Sequence, residues 1–445
     1  MVNQDLVASA LAAAFVGGRW QVDELVARGA RALGRRWSWL RPLASRLLHV
    51  LGEDSLPSRS QIERFLLQDA GFQRACLEHA IRVGGPGRNY PMMSPAAGSP
   101  ASWGVPPLVT VGELAKWLGL EGKQLDWFAD RRSLERTTPA GPLRHYKYYW
   151  LSKRLGGSAR LVEAPKWRLK MLQRRVLRGI LDNIPPHAAA HGFWRGRSIR
   201  SFAAAHVGQA VVLRMDLKDF FPSIAKARIV AVFRTAGYPE DVCQLLAALC
   251  TNHVPDDVWQ RFPQYGGAAD RWRHEGLYAR PHLPQGTPTS PALANLCAYR
   301  LDCRLTGLAH AVGGKYTRYA DDLLFSGGEA LARSLRRFEA TACSVIIDEG
   351  FAVNFRKRRI MRQGVRQHAT GLVLNRHVNV ARDEYDRLKA TLHNCVCQGP
   401  TGQNRGGVRD WRLHLQGRIA FVESINPDRG RRLRRLFDRI QWPRD

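Results

Sequence analysis

An α+β fold is predicted for this chain by three observations. Apolar residues recur at helical spacing through the first 83 residues; two later stretches, VVLRMDLKDFF (211–221) and KYTRYADDLLFSG (315–327), carry strand patterns; and residues 381–397 and 411–441 read as helices again. At 445 residues and 45% hydrophobic content the chain exceeds one ordinary core and can pack two or three domains.

Charge narrows the function classes. The formal net charge is +30, from 68 Lys plus Arg against 38 Asp plus Glu, which is more than solubility requires and favours a polyanionic partner. Nucleic acid is the first candidate and an anionic membrane surface its competitor. Residues 1–108 hold 12 Arg, no Lys and 8 acids, so they carry +4 and leave +26 on residues 109–445, where the polyanion is expected to bind. No run of 18 apolar residues exists, and MVNQDLVASALAAAFVGG has an acid and no Lys or Arg ahead of its apolar stretch, so neither a spanning helix nor a secretory leader is expected. The eight cysteines lack paired zinc spacing; Cys395 and Cys397 form a lone C-x-C, and the rest sit among apolar residues like buried thiols of a reducing cytoplasm. A structural zinc is not expected.

In chain order, RWQVDELVARGARAL and SRSQIERFLLQDAGFQRACLEHAI predict helices, the second opened by a Ser60/Glu63 capping box. Residues 84–108, rich in Gly, Pro, Ser and Ala, hold neither period and read as a linker. Thr110 and Glu113 form a second capping-box pattern before VGELAKWLGL. Arg160–Glu163 can form a strand, with Pro165 placed as the first residue of the next helix. In PKWRLKMLQRRVLRGILDNI, Leu169, Leu172, Val176, Leu177 and Ile180 share one face, and Arg168, Lys170, Arg174, Arg175 and Arg178 mostly occupy others. A solvated charged face over a core accounts for that pattern as well as a binding surface does.

The carboxylates carry the chemistry. In VVLRMDLKDFF, Val211, Leu213 and Met215 face one way and Val212, Arg214 and Asp216 the other, with Asp216 near the strand end. In 315–327 the β-prone KYTRY and LLF flank Ala320, Asp321 and Asp322, a hairpin with acids at its tip. If the strands are neighbours, three carboxylates converge, and their repulsion calls for a hard divalent cation. Two Mg²⁺ ions on such carboxylates suit in-line nucleotidyl transfer. The alternative is a plain polar turn, which is what most isolated Asp-Asp pairs make. In LPQGTPTSPALANL (283–296) a Pro-, Gly- and Thr-rich turn precedes a helix with Ser290 as N-cap and Pro291 as first residue, and Gln285 and the turn amides can contact a nucleotide.

The ordered blocks HGFWRGRSI (191–199), DLKDFFPSI (216–224), LPQGTPTSPALANL (283–296) and YADD (319–322) resemble those of bacterial reverse transcriptases, and of the retron class in particular. RLVEAPK (160–166), GFAVNFRKRRI (350–360) and ATGLVLN (369–375) resemble further blocks of the same set, so the resemblance spans about residues 110–445. It implies that Asp216, Asp321 and Asp322 are the catalytic, metal-binding triad, and that Tyr319 and Ala320 form the palm tip near the primer end. It makes Phe221 the aromatic gate against a 2'-hydroxyl and Gln285 a contact to the incoming nucleotide. Arg160, Lys166 and Lys357 match nucleotide-binding positions, although each can also be a simple surface cation. Two departures bear on subtype rather than chemistry: Phe202 replaces an Asn in FAAAH, and Ala369 replaces a Val before Thr370 and Gly371. His206 is read as structural.

Residues 381–397 and 411–441 predict helices joined by a flexible GPTGQNRGGVRD. In the last, Leu433, Leu436, Phe437 and Ile440 share a face ringed by Arg431, Arg432, Arg434, Arg435 and Arg439, a pattern that fits RNA phosphates or a solvated helix end. The resemblance then implies a right-hand polymerase fold: fingers and palm over 109–375, a basic RNA-binding thumb over 376–445, and a helical extension over 1–83 behind the 84–108 linker. It further implies a cognate structured non-coding RNA as template and primer, an RNA–DNA hybrid, deoxynucleotides, two Mg²⁺, a branched multicopy single-stranded DNA product, a role in anti-phage defence and room for an effector protein. Two other functions remain open: a group II intron maturase or other defence-associated reverse transcriptase, with the same chemistry, and a non-catalytic RNA-binding scaffold.

Overall fold

The computed structural model describes residues 4–15, 20–33, 35–52, 57, 59–79, 103–152, 159–263 and 268–443. Two compact units emerge, Met1–Pro91 and Met92–Asp445, each with its own core.

The first unit is helical: α1 (Gln4–Phe15), α2 (Val22–Ala32), α3 (Leu40–Leu51), α4 (Arg59–Gln68) and α5 (Ala70–Glu78). Leu11, Phe15, Leu25, Leu43, Leu47, Ile62 and Phe72 pack between them. The single helix expected over 58–81 breaks at Asp69. Its carboxylate accepts from the Phe72 amide at 2.7 Å and from Arg46 Nε and Nη2 at 2.8 Å each, so a local cap outcompetes helix continuation. Helix α4 starts at Arg59, which leaves Ser60 inside it, and the Ser60 side chain that the expected capping box needs lies outside the described residues. Most of the 84–108 linker is likewise outside them.

The second unit opens with α6 (Val111–Leu118), where the expected capping box forms: Thr110 Oγ1 accepts from Glu113 N at 3.1 Å, and Glu113 accepts from Thr110 N at 3.2 Å. After α7 (Gly122–Ala129), β1 (Tyr146–Ser152) and β2 (Ala159–Pro165) make an antiparallel ladder. Pro165 is the last residue of β2, opposite Tyr146, and α8 (Trp167–Gly179) begins two residues later than expected. Its buried face holds Leu169, Leu172 and Val176 as predicted, and also Gln173, which donates to Leu249 O at 2.9 Å.

Helix α9 (Ile199–Ala204) leads into β3 (Val211–Lys218). Helices α10 (Lys226–Thr235), α11 (Glu240–Cys250), α12 (Asp256–Gln260), α13 (Ala268–Tyr278), α14 (Ser290–Cys297) and α15 (Tyr299–His310) follow, before the hairpin β4 (Lys315–Tyr319) and β5 (Asp322–Gly327). Beyond α16 (Glu329–Asp348), β6 (Ala352–Val353) and β7 (Arg359–Arg362) return to β3, giving an antiparallel sheet in the order β4-β5-β3-β6 with β7 also on β3. The alternation read in β3 decides which core each residue enters. Val211, Leu213, Met215 and Leu217 join the main core beneath α10, α11 and α14–α16; Val212, with Leu324 of β5, joins a second core. That core is completed by the small sheet β8 (His368–Ala369), β9 (Leu372–Val373) and β10 (Asn379–Val380) and by α17 (Arg382–Gln398), α18 (Trp411–Ile425) and α19 (Pro427–Phe437).

The segment 411–441 is two helices rather than one. Asn426 leaves the helix with φ −135° and accepts from Arg429 N at 3.1 Å, and Pro427 opens α19, as an Asn-Pro pair should. The connecting GPTGQNRGGVRD holds a tied turn: Asn404 Nδ2 donates to Val408 O at 2.8 Å and its Oδ1 accepts from Val408 N at 2.9 Å. No helix of the described residues is long and apolar enough to cross a membrane.

Candidate active site

Pairing of β3 with β5 sets Asp216 directly opposite Asp322, a cross-strand arrangement with Cα atoms about 4.5–5.5 Å apart. The backbone carbonyl of Asp321 accepts from Leu217 N at 2.8 Å, which closes the turn against the strand end. Asp216, far away in sequence, is therefore a neighbour of the Asp321–Asp322 pair. Asp322 is the first residue of β5 rather than part of the turn, which consists of Ala320 and Asp321.

Each paired carboxylate meets a cation of the chain itself. Lys357, on the turn between β6 and β7, places Nζ 2.8 Å from Asp216 Oδ1, while Asn354 Nδ2 donates to Oδ2 at 3.0 Å. Arg214, two residues before Asp216 on the same face of β3, forks onto Asp322: Nε donates to Oδ1 at 2.8 Å and Nη2 approaches Oδ2 at 2.7 Å. Burial, with the Asp216 charge, raises the Asp321 pKa. Burial likewise raises Asp322 to about 6, with Asp321 and Asp216 adding to the rise and Arg214 opposing it. Among the described residues no three His, Cys, Asp or Glu side chains stand in a ready-made metal cluster, and Asp216 and Asp322 are turned to Lys357 and Arg214. As a donor set, three crowded hard-oxygen carboxylates still suit a divalent cation.

The Asp-Asp turn is held from below. Ala320 has φ 56°, a left-handed value that costs a residue with a Cβ. Arg318, wholly buried, donates from Nη1 to Ala320 O at 3.1 Å and to Asn295 Oδ1 at 2.9 Å, and forks onto Asp302 at 2.8 and 2.7 Å. Asn295 in turn donates to Gly192 O at 2.7 Å. A Cβ on Gly192 would lie 2.8 Å from Ala320 N, so the HGF loop reaches the turn only because that residue is glycine. Phe193 then sets its ring 6.2 Å from Tyr319 and 6.5 Å from Phe221, making one aromatic cluster beside the carboxylates.

The PQG turn is fixed to β2. The Gln285 carbonyl accepts from Glu163 N of β2 at 2.8 Å. Gly286, at φ 132°, would bring a Cβ 2.9 Å from Glu163 O. Glu163 is fully buried and bonded to His282 Nε2 at 3.0 Å and Asn252 Nδ2 at 2.7 Å, so β2 and this turn are tied together. The helix entry differs from expectation by one residue: Ser290 is the first residue of α14, and its Oγ donates to Pro284 O at 2.6 Å to tie the turn instead of capping.

Of the remaining predicted residues, Arg160 is exposed on β2 and its positive charge is felt at Asp321. Lys166 is directed elsewhere, with Nζ donating to Gly141 O at 2.7 Å and Pro142 O at 3.0 Å. On α19, Arg431 pairs with Asp428 and Arg434 lies 3.5 Å from Glu423, whereas Arg432 and Arg435 are exposed. His206 is fully buried, as a structural histidine should be. Sequence reasoning missed Asn354, Arg318, Asn295, Asp302, Glu163 and His282 as supports, and Arg214 as a partner, although its place on the Asp216 face was readable.

Comparison with known proteins identifies the family. Residues 152–379 match the family model described as reverse transcriptase (RNA-dependent DNA polymerase). The chain is 39% identical to the Retron Mx65 reverse transcriptase of Myxococcus xanthus over 355 residues, 78% of this chain and 76% of that protein. It is 37% identical to the Retron Mx162 reverse transcriptase of the same organism, over 74% of this chain and 66% of that protein. To the Retron Ec86 reverse transcriptase of Escherichia coli it is 30% identical, over 66% of this chain and 81% of that protein. With its carboxylates paired across an antiparallel sheet and its relatives on both measures in one group, the chain belongs to the retron-type reverse transcriptases and is an RNA-directed DNA polymerase.

Proposed function

We propose that this enzyme copies part of a cognate structured non-coding RNA into branched multicopy single-stranded DNA, priming from a 2'-hydroxyl of a guanosine in that RNA, and that the product serves anti-phage defence, with an effector protein as a possible partner of the system. The observation that carries the chemical core of this reading is the register that sets Asp216 opposite Asp322 with Asp321 at the adjoining turn. Two Mg²⁺ held by these three residues would activate the priming hydroxyl and stabilise the leaving pyrophosphate. The rest is the work of the chain. Arg160 and Lys357 offer positive charge to the triphosphate, and Lys166 joins them only by leaving its two carbonyl partners. Phe221, flanked by Phe193, closes the sugar side of the pocket against a 2'-hydroxyl, and Gln285 presents its side chain from a turn whose backbone is fixed to β2. Tyr319 and Ala320 take the primer end.

We assign fingers and palm to 109–375, a thumb to 376–445 and a separate helical extension to 1–83. Arg431, Arg432, Arg434 and Arg435 lie on the thumb helix that would follow RNA phosphates, with Arg432 and Arg435 the freer two.

The test is synthesis by purified protein from its native RNA, deoxynucleotides and Mg²⁺. Labelled DNA that remains linked to RNA until a debranching enzyme acts is the expected product. The Asp321→Asn, Asp322→Asn variant should lose at least about a thousandfold in rate; incorporation equal to the parent overturns the catalytic assignment.

A further inference from the structure

We propose that Arg214 sets how tightly the active site takes up divalent cations, because its guanidinium covers both oxygens of Asp322 and must be displaced before a metal can use them. The inference rests on the reading of Asp216, Asp321 and Asp322 as the metal-holding carboxylates.

The two paired carboxylates are engaged in unlike ways. Asp216 gives one oxygen to Lys357, whose side chain is half exposed, and the other to the neutral amide of Asn354. Such a contact is single-pronged, and a flexible ammonium in water leaves it at little cost. Asp322 gives both oxygens to one planar fork whose side chain is only 25% exposed, against a carboxylate that is 8% exposed. Bidentate, charge-assisted pairing of this kind is the stronger and more rigid form. A carboxylate oxygen on Mg²⁺ sits about 2.1 Å from the ion, so the guanidinium has to give up the lone pairs it occupies before the ion can take them, and any prong it keeps holds its charge close to the ion. Even after yielding, Arg214 remains anchored two residues from Asp216 on the same strand face and repels the incoming cation. Displacement and repulsion act in the same direction: both weaken metal uptake, and both confine it to conditions in which something else, such as a nucleotide triphosphate, brings the metal in.

A positioning role in which Arg214 merely aims Asp322 at the metal makes the opposite forecast, so the two can be told apart on the full-length protein. Mn²⁺ is titrated without nucleotide at fixed ionic strength, and the free ion is followed by its electron paramagnetic resonance signal. Arg214→Met keeps the length of the side chain and removes its charge; it should bind Mn²⁺ about tenfold more tightly than the parent, the scale expected when one charge-assisted competitor is removed. Arg214→Lys, with one prong in place of two, should fall between them, and it provides the answer if the methionine variant unfolds. Unfolding temperatures in EDTA report the fold, and the shift each protein gains from added Mn²⁺ should rise in the same order. Equal or weaker binding by folded Arg214→Met and Arg214→Lys overturns the proposal, provided Asp322→Asn binds less than the parent. Should Asp322→Asn bind Mn²⁺ as the parent does, the metal reading of these carboxylates fails, and the role of Arg214 falls with it.

Discussion

His206 is sealed from solvent: its Nδ1 lies 2.6 Å from Ser326 Oγ and its Nε2 lies 2.8 Å from Thr317 Oγ1, and burial pushes its pKa down to about 3. A histidine depressed from 6.5 stabilises the fold above its unfolded pKa and withdraws that contribution as pH falls toward its folded pKa, because the unfolded chain takes up the proton first. Urea unfolding should therefore show a loss of about 2 kcal/mol from this residue between pH 7 and pH 5. His206→Gln, which cannot titrate, should flatten that dependence; an unchanged slope would assign it elsewhere, His191 being the next buried candidate, with its pKa pushed down to about 4. At this scale the sequence displayed the three candidate carboxylates and concealed their keepers. Asp216, Asp321 and Asp322 were legible because strand alternation and an Asp-Asp turn are local patterns. The fork between Arg214 and Asp322 spans 108 positions along the chain, and the tie from Lys357 to Asp216 spans 141, distances over which no periodicity reaches.

At the scale of elements, local chemistry again separates what was legible from what was not. The Thr110/Glu113 cap was readable because both of its bonds fall within one helical turn. Thr110→Ala should cost about 1 kcal/mol, seen as a lower unfolding temperature with polymerisation on a primed template unchanged, since α6 lies outside the site. The break at Asp69 escaped because its second stabiliser, Arg46, comes from another helix. The one-residue shift at Ser290 has a similar origin: its hydroxyl has a better acceptor in Pro284 O than a capping role would give it. By contrast the Asn426–Pro427 break was written in the sequence as a cap followed by a helix-opening proline, and the helical period on both sides masked it.

For the whole molecule, the charge reading concerns the partner. Of the net +30, the part up to residue 108 carries only +4. Binding of RNA should weaken steeply and linearly on a log–log plot against salt. Removing Arg432 and Arg435 together should lower the magnitude of that slope by about one to two and leave it otherwise linear; an unchanged slope places the RNA on another face. The α+β class was legible from the switch between the two periods. What the periods do not contain is the topology, in which β3 takes β5 on one side and both β6 and β7 on the other.

That central strand carries a further consequence. Its odd residues are sealed in the main core and Val212 in the core shared with α17–α19, so the strand that bears Asp216 is upholstered front and back by separate parts of the chain. The C-terminal helices cannot lift away as a freely hinged lid without stripping one lining from the strand that bears Asp216, and any rocking they perform must be small enough to leave Val212 dry.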